Sequence, residues 1–162
     1  MKNNLINRVL TTNNSLAGLA LRVPAGIIFA AHGAQKLFGA FGGYGLDGTG
    51  QWMASIGLEP GYLMALAAGS AEFFGGIALL LGLLVRPAAA VLALTMLVAI
   101  FAVHASNGLF MSNNGYEFGL SLLAISVALA FQGAGALSID RLLTQKQMST
   151  SGEPVSRRQT SA

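Results

Sequence analysis

Residues 16–39 form an apolar run long enough to cross a bilayer, and within it stand Arg22, His32 and Lys36. About 20 predominantly apolar residues cover the hydrocarbon core, so the run reads as a transmembrane helix. A cationic side chain near the centre of such a helix costs ~2.5–3.5 kcal/mol on insertion scales, and groups of this kind face other helices or water and mark functional positions. The run therefore dictates a membrane-spanning fold and, elsewhere in the chain, partners for its polar residues.

Composition agrees. The chain is 54% hydrophobic and 9% charged, with a mean hydropathy of +0.63, whereas soluble domains carry ~25% charged residues. A formal charge of +3 over 162 residues, scattered along the chain, excludes a nucleic-acid partner. With no cysteine there is no disulfide, thiolate metal site or dithiol chemistry; no metal site is expected, and any redox role uses a borrowed cofactor.

Residues 1–15 are polar, with Lys2 and Arg8, and read as a cytoplasmic segment. They are not the start of a signal peptide, because the apolar run that follows is about twice the length of a signal core and contains Arg22 and Pro24. Pro24 would kink the first span unless neighbours satisfy the freed carbonyl. After a glycine-rich loop, Trp52, Met53 and Ile56 share one face of a short interfacial helix. Glu59-Pro60 suits a helix start. The second span, 61–84, is apolar apart from Glu72, and Gly69, Glu72 and Gly76 lie on one stripe that lets another helix come close. Val85-Arg86-Pro87 reads as a tight turn, followed by a third span at 88–105. A turn-rich loop then leads to a fourth span at 116–134, opened by Glu117, and residues 144–162 read as a disordered cytoplasmic tail. The predicted architecture is an all-α integral membrane protein, an antiparallel four-helix transmembrane bundle over 16–143.

Lys2, Arg8, Arg86, Arg141, Lys146, Arg157 and Arg158 fall at the N-terminus, the second loop or the C-terminus, which places both termini in the cytoplasm and the protein as a multi-pass resident of the cell inner (plasma) membrane. At ~1.5 Å per residue this topology sets His32, Lys36, His104 and Glu117 in one outer layer, with Glu72 near mid-membrane within reach of His32 or Arg22. Around the first span, Arg22 and Lys36 differ by ~40° and His32 lies ~80° from Arg22, so all three face one sector.

His32-Gly33-Ala34-Gln35-Lys36-Leu37-Phe38-Gly39, Glu72-Phe73-Phe74-Gly75-Gly76 running to Gly82-Leu83 and Arg86, Asn107-Gly108-Leu109-Phe110, Tyr116-Glu117 and Ser138-Ile139-Asp140 resemble the DoxX family of small four-span membrane proteins. The resemblance covers roughly residues 16–143. One departure is Gly133-Ala134-Gly135, where such proteins often carry proline between the glycines. The resemblance implies a membrane component associated with quinol or thiosulfate oxidation, acting with the protein partners of a redox complex.

The residues leave several roles open. Glu72 is either a buried carboxyl that fixes packing or a proton-exchanging group, since burial and a neighbouring cation act on it in opposite senses and so tune it for acid–base work. His32 and His104 at one depth suit a b-type haem, or the head group of a quinone, or simple capping at the interface. Lys36 and Glu117 suit an outer ion pair. Arg22 needs a partner or water. Gly43-Tyr44-Gly45-Leu46-Asp47-Gly48 matches G-x-G-x-x-G letter for letter but follows a membrane helix rather than a strand, so its glycines read as turn residues. The leading reading is a redox-associated membrane subunit in which Glu72 and His32 handle protons, Arg22 sets the field, and Lys36, His104 and Glu117 bind a quinone or similar lipophile. Its rivals are a non-catalytic carrier of a small solute or lipid, and a scaffold. The oligomeric state stays open.

Overall fold

The computed structural model describes residues 15–150, with side chains to residue 146, and is helical throughout with no strand among the described residues. Helix α1 (Leu16–Phe38) starts at Ser15, whose Oγ accepts from the Ala17 N–H at 3.1 Å, and ends at Gly39 in the left-handed region. It runs unbroken through Pro24. The short helix expected around Trp52 is present as α2 (Gly45–Ser55), beginning ahead of Thr49, with Met53 buried, Trp52 exposed and Ile56 exposed at its C-cap. The G-x-G-x-x-G stretch thus enters the first turn of α2, with no strand before it. Helix α3 (Gly61–Leu81) closes on Gly82 at φ 65°, with the Leu83 N–H reaching back to Ala78 O at 2.9 Å and the Gly82 N–H to Leu79 O at 3.1 Å. That pairing is a Schellman close.

The turn between α3 and α4 lies at Gly82–Leu84, not at Val85-Arg86-Pro87. Those three residues form the first turn of α4 (Val85–Ala99), where proline costs little. The helix continues through a π turn at Ile100–His104 and a 3₁₀ turn to Asn107, so the apolar helical stretch is Val85–Asn107. Helix α5 (Glu117–Gln132) is shorter than the stretch 116–134 expected from sequence. Helix α6 (Ile139–Thr150) carries helix past Thr144, where a disordered tail was expected to begin; the rest of that tail, like residues 1–14, lies outside the described residues.

Leu16–Phe38, Gly61–Leu81 and Val85–Asn107 are each long and apolar enough to cross a membrane, while Glu117–Gln132 is apolar but shorter. Helix α1 packs chiefly on α3, α4 on α5, and α2 on α3. Ala25, Phe29, Leu79, Val85, Ala89, Leu92, Met96, Leu122, Leu129 and Ala134 form one shared core. Gly69, Glu72 and Gly76 are all buried, and the helix that the glycine stripe admits is α1. A Cβ on Gly76 would overlap the backbone N of Ala30, and one on Gly33 the backbone N of Phe73. The two backbones therefore touch beside Glu72, at Phe73, and one turn beyond it, at Gly76.

Candidate functional site

That backbone contact sets the rotation of α1 against α3 and brings Lys36 over Glu72. Lys36 Nζ lies 2.6 Å from Glu72 Oε2, with the carboxylate side chain 5% and the lysine side chain 23% exposed. A charge-assisted bond at this length, on a carboxylate closed off from solvent, joins two groups at a depth where either alone would be costly. One turn before Lys36, His32 is exposed on α1, with Gln35 hydrogen-bonding its ring. Its ring centroid lies 6.2 Å from that of Phe118, at 53°. Lys36, Glu72 and His32 thus gather where α1 meets α3 and the first turn of α5.

The partner expected for Glu72 was His32 or Arg22; the structure gives it Lys36. The expected Lys36–Glu117 pair is accordingly absent. Glu117 Oε1 instead accepts from the Met111 N–H at 2.6 Å, tying the α4–α5 loop to the start of α5. His104 stays with the same loop, its Nδ1 2.8 Å from Asn114 O. Loop backbone closes the arrangement, the Tyr116 and Glu117 N–H groups donating to Gly108 O and Leu109 O.

Arg22 is set apart. It is buried, and its guanidinium donates to five backbone carbonyls: Nε to Ala134 O at 2.9 Å, Nη1 to Leu79 O at 2.8 Å and Leu80 O at 2.7 Å, Nη2 to Ala136 O at 3.2 Å and Leu137 O at 2.6 Å. A guanidinium offers five N–H groups, and every one is used. Leu79 and Leu80 belong to the last turn of α3, at the negative end of the helix dipole, and Leu79 O takes the guanidinium in addition to the Gly82 N–H. Ala134, Ala136 and Leu137 belong to the irregular α5–α6 connection, where buried carbonyls need a donor from elsewhere. Along α3, Leu79 lies seven residues from Glu72, about 10 Å.

Asp140, at the first turn of α6, acts in the same region. It is buried, and its carboxylate accepts from the Leu84 N–H at 2.7 Å and the Val85 N–H at 3.0 Å, capping α4. Burial pushes this carboxyl above the usual range, while the Val85 and Leu84 N–H groups and the charges of Arg22 and Arg86 pull it back. Arg86 reaches the last turn of α5, its Nη1 3.3 Å from Ala130 O and its Nη2 3.5 Å from Gln132 O. Two arginines and an aspartate thus close three helix ends. Sequence reasoning assigned Asp140 no role; the available signal was its place in the Ser138-Ile139-Asp140 motif.

These features define a class: a helical membrane protein with a closed polar lock at one end and a buried lysine–glutamate pair towards the other. The family model for DoxX matches residues 17–105, and the chain belongs to that family. It is 38% identical to a Bacillus subtilis (strain 168) protein named "Putative oxidoreductase CatD" over 122 residues, 75% of this chain and 83% of that one. It is 37% identical to "Inner membrane protein YqjF" of Escherichia coli (strain K12) over 134 residues, 79% of this chain and 92% of that one. An uncharacterized protein of Haemophilus influenzae is 33% identical over 129 residues, 78% and 90% of the two chains. No solved structure matches.

Proposed function

We propose that the chain is a redox-associated subunit of the inner (plasma) membrane that holds a quinone or similar lipophile against Lys36, Glu72 and His32. Four spans form an antiparallel bundle with both termini cytoplasmic. Helix α5 alone rises about 24 Å, and the buried segment 133–136 beside α1 adds to its reach. The name of the E. coli relative supports the inner membrane, and the name of the B. subtilis relative supports a redox role.

The observation that carries this reading is the Lys36–Glu72 pair, 2.6 Å apart, with the carboxylate closed and the ammonium reaching the surface. Such a pair exchanges a proton internally while staying neutral as a unit, which is what proton delivery in a low-dielectric site requires. Reduction of a quinone to its quinol takes two electrons and two protons. The Lys36 ammonium and the His32 ring are the hydrogen-bond donors that suit its carbonyl oxygens, and Glu72 relays protons to Lys36. Electrons come from a partner protein. In this reading Arg22 holds the lock at the opposite end, and His104 and Glu117 order the loop above the site.

The test is purification in native lipid, quinone extraction with mass spectrometry, and a reduced-minus-oxidised spectrum, on the wild type and on Glu72→Gln, which keeps the shape and removes the proton. Stoichiometric quinone that is reduced by the wild type and not by the variant, compared at a temperature where both are folded, is the expected result. Undiminished reduction in Glu72→Gln would defeat the proton role. Solute flux in liposomes with no redox change would favour the carrier reading, and a haem band would redirect attention to His32 and His104.

A further inference from the structure

Helix α6 is tied to the neighbouring helix ends along the flank that carries Asp140. Asp140 anchors its first turn to the start of α4, the Asp140 N–H donates to Gly82 O at 2.9 Å, and Thr144 Oγ1 folds back on Asp140 O at 2.8 Å. At 100° per residue the other flank gathers Ile139, Leu142, Leu143 and Lys146 within about 100° of arc, while Arg141, Thr144 and Gln145 fall opposite. Leu142 is 65% exposed, and Leu143, Gln145 and Lys146 are exposed as well, so two open faces of one short helix differ sharply in chemistry.

The apolar face does not stand alone. Phe131 and Leu137, each 79% exposed, lie at the end of α5 and just before α6, and Leu81 and Leu84 are exposed at the end of α3 and in the turn to which α6 is tied. Exposed apolar residues thus flank α6 at the end of α5 and at the α3–α4 turn to which Asp140 ties it. A patch of this extent on a water-facing surface would be a liability. We propose that α6 lies in the headgroup layer of the bilayer, with Ile139, Leu142 and Leu143 against the acyl boundary and Lys146 on the phosphates of anionic lipids.

Three observations favour lipid over a protein partner. The face stands beside exposed apolar residues at the ends of α3, long and apolar enough to cross a membrane, and of α5. The Asp140 anchor holds the first turn of α6 at the level where α3 ends, which is the edge of the hydrocarbon. The cation borders the apolar sector on a long stem, which lets the stem stay with the leucines while the ammonium reaches phosphate.

The chain has no cysteine, so single labels can be placed cleanly. Leu143→Cys and Gln145→Cys, about 160° apart on the helix, are spin-labelled in the full-length protein, reconstituted in zwitterionic vesicles with and without phosphatidylglycerol. Relaxation by oxygen, which partitions into lipid, is compared with relaxation by a water-soluble nickel chelate. The expected result is oxygen-dominated relaxation at 143 and chelate-dominated relaxation at 145, with a contrast that grows with phosphatidylglycerol and shrinks in a Lys146→Glu background. Equal chelate access at both sites would overturn the proposal, showing a helix that projects into water. Shielding of both labels from both agents would overturn it in favour of a protein contact, and a contrast indifferent to phosphatidylglycerol and to Lys146→Glu would remove the anionic lipid from it.

Discussion

Replacing Arg22 by lysine keeps a cation in the same helix and takes away the fork. An ammonium has three N–H groups against the five that Arg22 uses, so at least two of the carbonyls of Leu79, Leu80, Ala134, Ala136 and Leu137 lose this donor, and since only Leu79 O keeps the Gly82 N–H, at least one is left unpaired. A buried acceptor left unpaired costs ~1–3 kcal/mol, which sets the scale expected for Arg22→Lys. At ~3–5 °C per kcal/mol for a chain of this length, the apparent Tm falls by at least about 3 °C. Thermal unfolding of the purified protein in detergent, followed by circular dichroism and checked by size-exclusion of the heated sample, measures this. The Lys36–Glu72 pair lies about 10 Å away along α3, so ligand content per folded molecule should hold at low temperature. An Arg22→Lys protein as stable as the wild type would refute the account, because it would mean that those carbonyls find other donors.

Lys36→Met strands Glu72 as an unpaired buried carboxylate and should cost ~3–5 kcal/mol, while the double change Lys36→Met with Glu72→Gln recovers most of that loss; a double-mutant cycle by chemical denaturation reads the coupling. Asp140→Asn keeps an acceptor for one of the Leu84 and Val85 N–H groups but drops the charge at the start of α4, for an expected loss of ~1–2 kcal/mol in the same assay. Gly76→Leu forces α3 off the Ala30 backbone and with it separates Lys36 from Glu72. Stability should fall by at least ~1–3 kcal/mol, and a disulfide cross-link engineered between α1 and α3 should form more slowly than in the wild type.

The chain dictates its long helices by itself, because a run of some 20 apolar residues has one low-energy fate and its length sets the span. The Gly69, Glu72, Gly76 stripe was likewise legible, since 3.6-residue periodicity alone puts small residues and a carboxylate on one face. The residues of the DoxX motifs carried the family. What the chain could not show was which partner each charge would take. The sequence paired Lys36 with Glu117, and its actual choice of Glu72 follows from the depth and rotation at which α1 lies on α3, set by backbone contact at Gly33 and Gly76. Arg22 looked like a member of the same polar cluster because its position on the helical wheel is right; its real acceptors are main-chain carbonyls. Every residue carries a carbonyl, so no pattern of side chains marks the five that a buried guanidinium takes. Hydropathy and periodicity are local along the chain, whereas the pairing of buried charges depends on how close-packed helices slide and turn against one another, and only the assembled structure holds that information.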